Sequence, residues 1–198
     1  MASSRQRTAG RGLPRAVDIA LAATGLVLAS PVLLVAAVAI KLESRGPAIY
    51  RQRRAGKDGR PFDLYKLRTM HLGADPVGVG TPVLPGDPRV TRVGHLLRRL
   101  SLDELPNLLN VLRGEMAIVG PRPTLPAQVE LYSERQLRRL EVKPGLTGWA
   151  QVNGRAGIPW AERIELDVWY VDHRSPALDA RILARTARLL LSGHGLYG

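Results

Sequence analysis

The 198-residue chain contains no cysteine. That single absence excludes disulfides, thiolate nucleophiles, iron–sulfur clusters and cysteine zinc sites. Histidine is nearly as scarce: His71, His95, His173 and His194 are scattered, without the H-x-x-x-H or H-E-x-x-H spacing of a histidine zinc site. One Phe, five Tyr and three Trp argue against single-stranded nucleic acid as a ligand, because the stacking platforms it needs are missing. Acidic residues are outnumbered, 17 Asp and Glu against 29 Lys and Arg, for a net charge of +12. With 45% hydrophobic residues the chain is too apolar for a disordered basic tail. Its excess charge points to an anionic partner: nucleic acid, acidic lipid headgroups or a phosphorylated ligand. The length suits one domain of ordinary size with an accessory segment.

The accessory segment is an apolar run. Ile19 to Ile40 carries no charge, and a straight helix of that length reaches roughly 33 Å, enough to cross a hydrocarbon core. A signal peptide is a poor fit, since its apolar region should be only about 7 to 15 residues. A single span should leave one flank poor in Lys and Arg. Here Arg5, Arg7, Arg11 and Arg15 precede the run, and Lys41, Arg45, Arg51, Arg53, Arg54, Lys57 and Arg60 follow it. A re-entrant hairpin returning both ends to one face matches that symmetry, with its bend at Ser30-Pro31. Pro31 removes a backbone donor, and the Ser30 hydroxyl is placed to satisfy a freed backbone group. A kinked span remains the alternative.

Beyond Gly46-Pro47, Ala48–Gln52 reads as a short strand, Asp58-Gly59 as a hairpin turn and Phe62 to about Met70 as the second strand. Phe62, Leu64, Lys66 and Arg68 share one face of it, where Lys66 and Arg68 would either hold a phosphate or line a solvated edge. The Gly- and Pro-rich stretch 73–88 should be an irregular loop, and Gly78-Val79-Gly80 within it lacks the flanking strand and helix of a dinucleotide fingerprint. Helices are expected over Val93–Leu100, along the Leu105, Leu108, Leu109 and Leu112 stripe, and over Pro126–Leu140. Near the C-terminus, Ile182, Leu183, Thr186, Leu189 and Leu190 oppose Arg181, Arg185 and Arg188, a basic amphipathic helix fit for an anionic membrane surface or for covering a core.

Three clusters carry possible chemistry. In Arg98-Arg99-Leu100-Ser101-Leu102-Asp103-Glu104-Leu105-Pro106, Ser101 to Glu104 has the form of a capping box, although Pro106 implies a break or restart just after it. The other reading is a site for Mg²⁺ and phosphate, adjacent carboxylates beside arginines at a helix start, with the Asp ionised at neutral pH. In Gly120-Pro121-Arg122-Pro123, prolines stiffen the backbone around a guanidinium suited to phosphate, or the motif is a turn with an exposed Arg. In the Pro144–Arg155 block, Thr147, Trp149, Gln151 and Arg155 would frame a nucleotide or sugar, or belong to a hairpin core.

In these residues the chain resembles the bacterial monotopic phosphoglycosyl transferases, the bacterial sugar transferase proteins that begin glycan assembly on polyprenol phosphate. The likeness runs in order from Asp18 to about Leu190. It takes in Ser30-Pro31, Tyr65–Met70, Asp87-Pro88-Arg89-Val90-Thr91, Ser101–Pro106, Asn110–Met116, Val119–Pro123 and Pro144–Arg155. Departures are modest: Glu115 and Ala117 stand where Asp and Ser are common, and His173-Arg174-Ser175 replaces a more aromatic stretch.

The resemblance implies a helix-rich α/β architecture. A basic N-terminus and a re-entrant membrane helix broken at Ser30-Pro31 would occupy residues 1–45. A catalytic domain on the cytosolic face, with interfacial helices and a short β-hairpin, would occupy residues 46–198. It implies transfer of a sugar-1-phosphate from a UDP-sugar to polyprenol phosphate with release of UMP, the first membrane step of polysaccharide (exopolysaccharide) or glycoconjugate synthesis. Asp103 would be the nucleophile and the Mg²⁺ ligand, and Glu104 would assist with metal or proton. Arg98 would orient the acidic pair, while Lys66, Arg68 and Arg122 would hold phosphate. The expected setting is the cytoplasmic face of a bacterial inner membrane, with leaflet lipids as partners and nucleic acid excluded. The competing class is a non-enzymatic, membrane-anchored basic protein binding acidic lipid or nucleic acid.

Overall fold

The uncharged run folds as a single helix, α1 (Arg15–Glu43), long and apolar enough to cross a membrane. The computed structural model describes residues 10–74, 86–154 and 157–192. Two separate arms flanking Ser30-Pro31 are not seen; Pro31 lies inside one helical element. The carbonyl that Pro31 cannot serve, Val27 four residues earlier, instead accepts the Ser30 hydroxyl at 2.7 Å. That bond offsets part of the proline's cost in a helix interior.

Both halves of α1 are pinned to the rest of the protein. Asp18 is buried and its Oδ1 accepts the Ile118 amide at 3.0 Å, while Ala22 sits in the main core with Leu108, Val111 and Met116. Toward the other end, Ala36 and Ile40 pack with Ala48, Leu67 and Leu97. Glu43 then accepts the Arg92 and Val93 amides at 2.7 and 3.0 Å. Between these anchors Val27, Leu28, Leu34 and Val35 are 67–74% exposed, a contiguous apolar surface of the kind that marks a membrane or partner contact.

The predicted hairpin is present as β1 (Ile49–Ala55) antiparallel to β2 (Pro61–Leu67), with Ile49 opposite Leu67 and Ala55 opposite Pro61. Asp58 makes the turn at φ 55°, a left-handed conformation that Asp tolerates better than most residues. β1 runs three residues further than expected. β2 stops at Leu67 because the following residues pair elsewhere: Met70 bridges to Val90, and the Thr91 amide donates to the Thr69 carbonyl.

Helix α2 (Arg92–Arg99) is capped by Thr91, whose hydroxyl accepts the Gly94 amide at 2.9 Å. α3 (Asn107–Arg113) ends at Gly114 with φ 83°. Its buried stripe is Leu108 and Val111, whereas Leu109 is 38% exposed. A second small sheet pairs β3 (Ala117–Val119) with β4 (Gly145–Thr147) in parallel. The two backbones meet so closely that a Cβ on Gly145 would lie 2.1 Å from the Gly120 nitrogen, so glycine is required there.

The single helix expected over Pro126–Leu140 is instead α4 (Pro126–Val129), α5 (Glu134–Leu137) and a 3₁₀ turn at Arg138–Leu140. Ser133 causes the restart by forming a capping box with Gln136. Three helices follow among the described residues: α6 (Trp149–Asn153), α7 (Trp160–His173) and α8 (Pro176–Leu191). On α8, Ile182 is fully buried, but Leu190 is 46% exposed rather than part of the inward stripe, because the last turn runs past the body it packs on. The main core gathers Phe62 and Leu64 of β2, Leu108 and Val111 of α3, Tyr170 and Val171 of α7 and Ile182. The architecture is therefore helix-rich with two small two-stranded sheets.

Candidate active site

The acidic pair is brought inside by a tight reversal between α2 and α3. Ser101 turns left-handed at φ 56°, ψ 23°, and Leu102–Glu104 follow as one 3₁₀ turn. No capping box forms, because a left-handed Ser101 cannot direct its hydroxyl along the next turn; its side chain makes no capping bond. Pro106, without an amide proton, then restarts the chain as α3. Asp103 and Glu104 are each only 4% exposed.

β2 and the Gly120–Pro123 segment deliver the cations. Lys66 Nζ and Arg122 Nη2 both donate to Glu104 Oε1 at 2.7 Å, and Arg122 Nη1 donates to Oε2 at 3.3 Å. Asn110, fully buried on α3, fixes where β2 lies. Its Oδ1 accepts the Tyr65 amide at 3.2 Å, and its Nδ2 donates to the Asp63 carbonyl and to Glu115 at 2.7 Å. Lys66 is thereby held against Glu104. Arg139, also buried, donates to the Arg122 carbonyl at 2.9 Å while paired with Asp167, and so steadies the other cation.

These neighbours separate the two carboxyls. Burial pushes the Glu104 carboxyl upward, but Arg122 and Lys66 overcome it and hold the group well below the usual carboxylate range. For Asp103 burial wins, aided by the Glu104 charge. Lys66, Arg98 and Arg122 pull the other way, and the group is pushed up to about 6. The flanking arginines alone would suggest an unshifted or lowered Asp; desolvation reverses that, although the carboxylate is still mostly ionised at neutral pH. Burial likewise pushes the Lys66 ammonium down, with Glu104 opposing it.

Asp103 Oδ1 is buried and has no hydrogen-bond partner among the described residues. An uncompensated carboxylate oxygen is costly, and a hard cation would satisfy it. Asp103 therefore fits the role of a Mg²⁺ ligand, whereas Glu104 Oε1 already accepts two cationic donors. Among the described residues no cluster of three or more His, Asp or Glu is placed to hold a metal. A cation at Asp103 would thus take its remaining oxygens from water and bound phosphate.

Not every candidate joins this cluster. Arg68 is buried, but its guanidinium donates to the carbonyls of Ser44 and Arg45, tying down the exit of α1. Strand alternation placed it beside Lys66, yet β2 has ended by Leu67. Arg98 donates Nε to the Thr69 hydroxyl at 2.9 Å and acts on Asp103 through its charge. The Thr147 hydroxyl bonds that of Thr186 on α8, and Gln151 donates to the Leu146 carbonyl. Trp149 stacks on Trp169 at 4.9 Å, with Arg185 over its ring. These contacts join β4, α6, α7 and α8. Arg155 lies outside the described residues, as does Gly78-Val79-Gly80.

A narrow cleft opens beside Glu104, lined by Lys66, Arg122, Arg54 and Asn107 over Leu64 and Met116. Sequence reasoning missed Asn107, Asn110 and Arg139. A polar residue at each of these positions matches many exposed ones, and Asn107 and Asn110 fall off the Leu105, Leu108, Leu109 and Leu112 stripe, where a solvated side chain is the ordinary expectation.

The bacterial sugar transferase family matches residues 9–193. The chain is 47% identical over 184 residues to the uncharacterized sugar transferase EpsL of Bacillus subtilis (strain 168), covering 93% of this chain and 90% of EpsL. It is 48% identical over 191 residues to a UDP-glucose:undecaprenyl-phosphate glucose-1-phosphate transferase of Caulobacter vibrioides, covering 92% of this chain and 71% of that protein. The exopolysaccharide production protein ExoY of Rhizobium meliloti (strain 1021) is 38% identical over 205 residues, 96% of this chain and 91% of ExoY. A buried acidic pair whose two carboxyls are shifted in opposite directions lies within a match that spans nearly the whole chain, so this protein belongs to the bacterial sugar transferase family and is a phosphoglycosyl transferase.

Proposed function

We propose that the protein moves a sugar-1-phosphate from a UDP-sugar to polyprenol phosphate through a phosphosugar carried on Asp103. The observation that carries this reading is the buried Asp103 carboxylate, with an unpartnered Oδ1, next to a Glu104 clamped by Lys66 and Arg122. A carboxylate with its conjugate acid near pH 6 is both ionised at neutral pH and more basic than an ordinary Asp, which favours nucleophilic attack. Its oxygen bonds to the β-phosphorus of the donor. The bond from that phosphorus to the bridging oxygen breaks, and the electron pair leaves with UMP. An oxygen of polyprenol phosphate then attacks the same phosphorus, freeing the Asp103 carboxylate and forming polyprenol diphosphate sugar.

Lys66 and Arg122 stabilise charge on the transferring group. Glu104, held ionised, orients both cations rather than carrying a proton. A Mg²⁺ bound at Asp103 would supply charge neutralisation for the diphosphate. The relatives named for undecaprenyl phosphate and for exopolysaccharide production favour that acceptor class and that use.

The same proposal places the enzyme on the cytoplasmic face of the inner membrane, with α1 entering and leaving the bilayer on one side. Both halves of α1 hold to one body while its apolar middle faces outward, and basic flanks at each end suit an anionic leaflet. The test is UMP release from a panel of UDP-sugars, with Mg²⁺ and with EDTA, for the native protein and Asp103→Asn. Loss of both UMP release and phosphosugar labelling of the protein is expected in the variant. Retained turnover sinks the assignment.

A further inference from the structure

Asn107, the first residue of α3, is 3% exposed, and its Oδ1 has no hydrogen-bond partner among the described residues. It lines the same cleft as Lys66, Glu104 and Arg122, one turn after Glu104. Leaving a buried amide oxygen unpaired is destabilising, and this residue lines a cleft from which a ligand can supply the donor. The contrast with Asn110, one turn further along α3, is direct. That amide is used up by Tyr65, Asp63 and Glu115 and serves the fold.

The chemistry of the missing partner follows from the atom. In this orientation the amide oxygen accepts and does not donate, so its partner is a donor, while the phosphates fall to Lys66 and Arg122. The partner is an O–H or an N–H. A nucleotide-sugar carries such groups on either side of its diphosphate: the uracil imide and ribose hydroxyls at one end, the hexose hydroxyls at the other. Leu64 and Met116 beside Asn107 provide an apolar surface against which one polar contact discriminates strongly, because a ligand lacking the donor leaves the oxygen unpaired.

We infer that Asn107 is a binding residue for the UDP-sugar donor, accepting a hydrogen bond from a hydroxyl or imide N–H of that molecule. The inference rests on the cleft being the donor site of the proposed transferase. Asn107→Leu keeps the approximate shape and removes the amide. It should raise KM for the most active UDP-sugar of the panel by about three- to tenfold, the size of one net hydrogen bond, with a smaller effect on kcat. The melting temperature should not fall, since the lost Oδ1 held nothing within the protein.

Calorimetric titration of the native protein and of the Asn107→Leu variant with UMP and with glucose-1-phosphate separates the two halves of the donor. Weakened UMP binding assigns the contact to the nucleotide, and unchanged UMP binding with raised KM assigns it to the sugar. Unchanged KM together with unchanged UMP binding overturns the inference, as does a melting temperature lowered by several degrees, which would mark Asn107 as structural. If Asp103→Asn retains turnover, the donor-site reading itself has failed. If that variant is inactive while Asn107→Leu binds and turns over normally, only the role of Asn107 is lost.

Discussion

Removing the Asp103 charge should abolish activity and, at the same time, stabilise the fold. The carboxyl is buried and pushed from an ordinary value of 3.8 to about 6, so its ionised form is less favourable in the folded chain than in the unfolded one. The sign follows directly. Below about pH 3.8 the group is protonated in both states and costs nothing. The cost grows as pH rises toward 6 and is complete above it. A shift of about two units corresponds to about 3 kcal/mol at pH 8 and about 1 kcal/mol at pH 4.5.

Asp103→Asn removes this cost. At about 2–4 °C per kcal/mol for a chain of this size, the melting temperature should rise by about 6–12 °C at pH 8 and by only about 2–4 °C at pH 4.5. Tryptophan fluorescence of detergent-solubilised protein, with EDTA present so that no cation compensates the charge, provides the assay. Any pH-independent effect of the new amide cancels in the difference between the two pH values. An equal gain at both, or a loss at pH 8, would refute the claim that desolvation dominates at Asp103.

At limiting Mg²⁺, where the metal-free carboxyl is the titrating form, the initial rate should rise with pH through about 6 and fall roughly tenfold per unit well below it, as the nucleophile protonates. A rate flat down to pH 4.5 would mean that Asp103 is not the titrating group. The topology of α1 is tested by single cysteines in a chain that otherwise has none. Arg11→Cys and Arg45→Cys should both react with an impermeant thiol reagent from the cytoplasmic side only, and labelling on opposite faces would make α1 a span.

Much of the local structure was legible because its causes are local. Asp58-Gly59 turns the hairpin, Pro106 restarts the helix after the acidic pair, and the Ser30 hydroxyl takes the Val27 carbonyl that Pro31 leaves free. Errors arose where a short motif had two local solutions. Ser101 to Glu104 fits a capping box, but the chain instead turns left-handed at Ser101 and buries Asp103 and Glu104. Ser133 has the cap that breaks the helix expected over Pro126–Leu140, a signal present in the sequence but outweighed by periodicity. Arg68 looked equivalent to Lys66 by strand alternation, and only the end of β2 turned it toward Ser44 and Arg45.

The sequence by itself determined the kind of chemistry available: no thiol, an anionic partner, a membrane-length apolar helix, and two adjacent carboxylates among cations. Those are properties of composition and short-range order. The tertiary structure decided how the carboxylates differ. Lys66, Glu104 and Arg122 lie far apart along the chain and meet only when β2 is stapled to α3 and Gly120 lies against Gly145. Burial then raises Asp103 while paired cations hold Glu104 ionised. Desolvation depends on what surrounds a group in three dimensions, and no reading of neighbours along the chain supplies it.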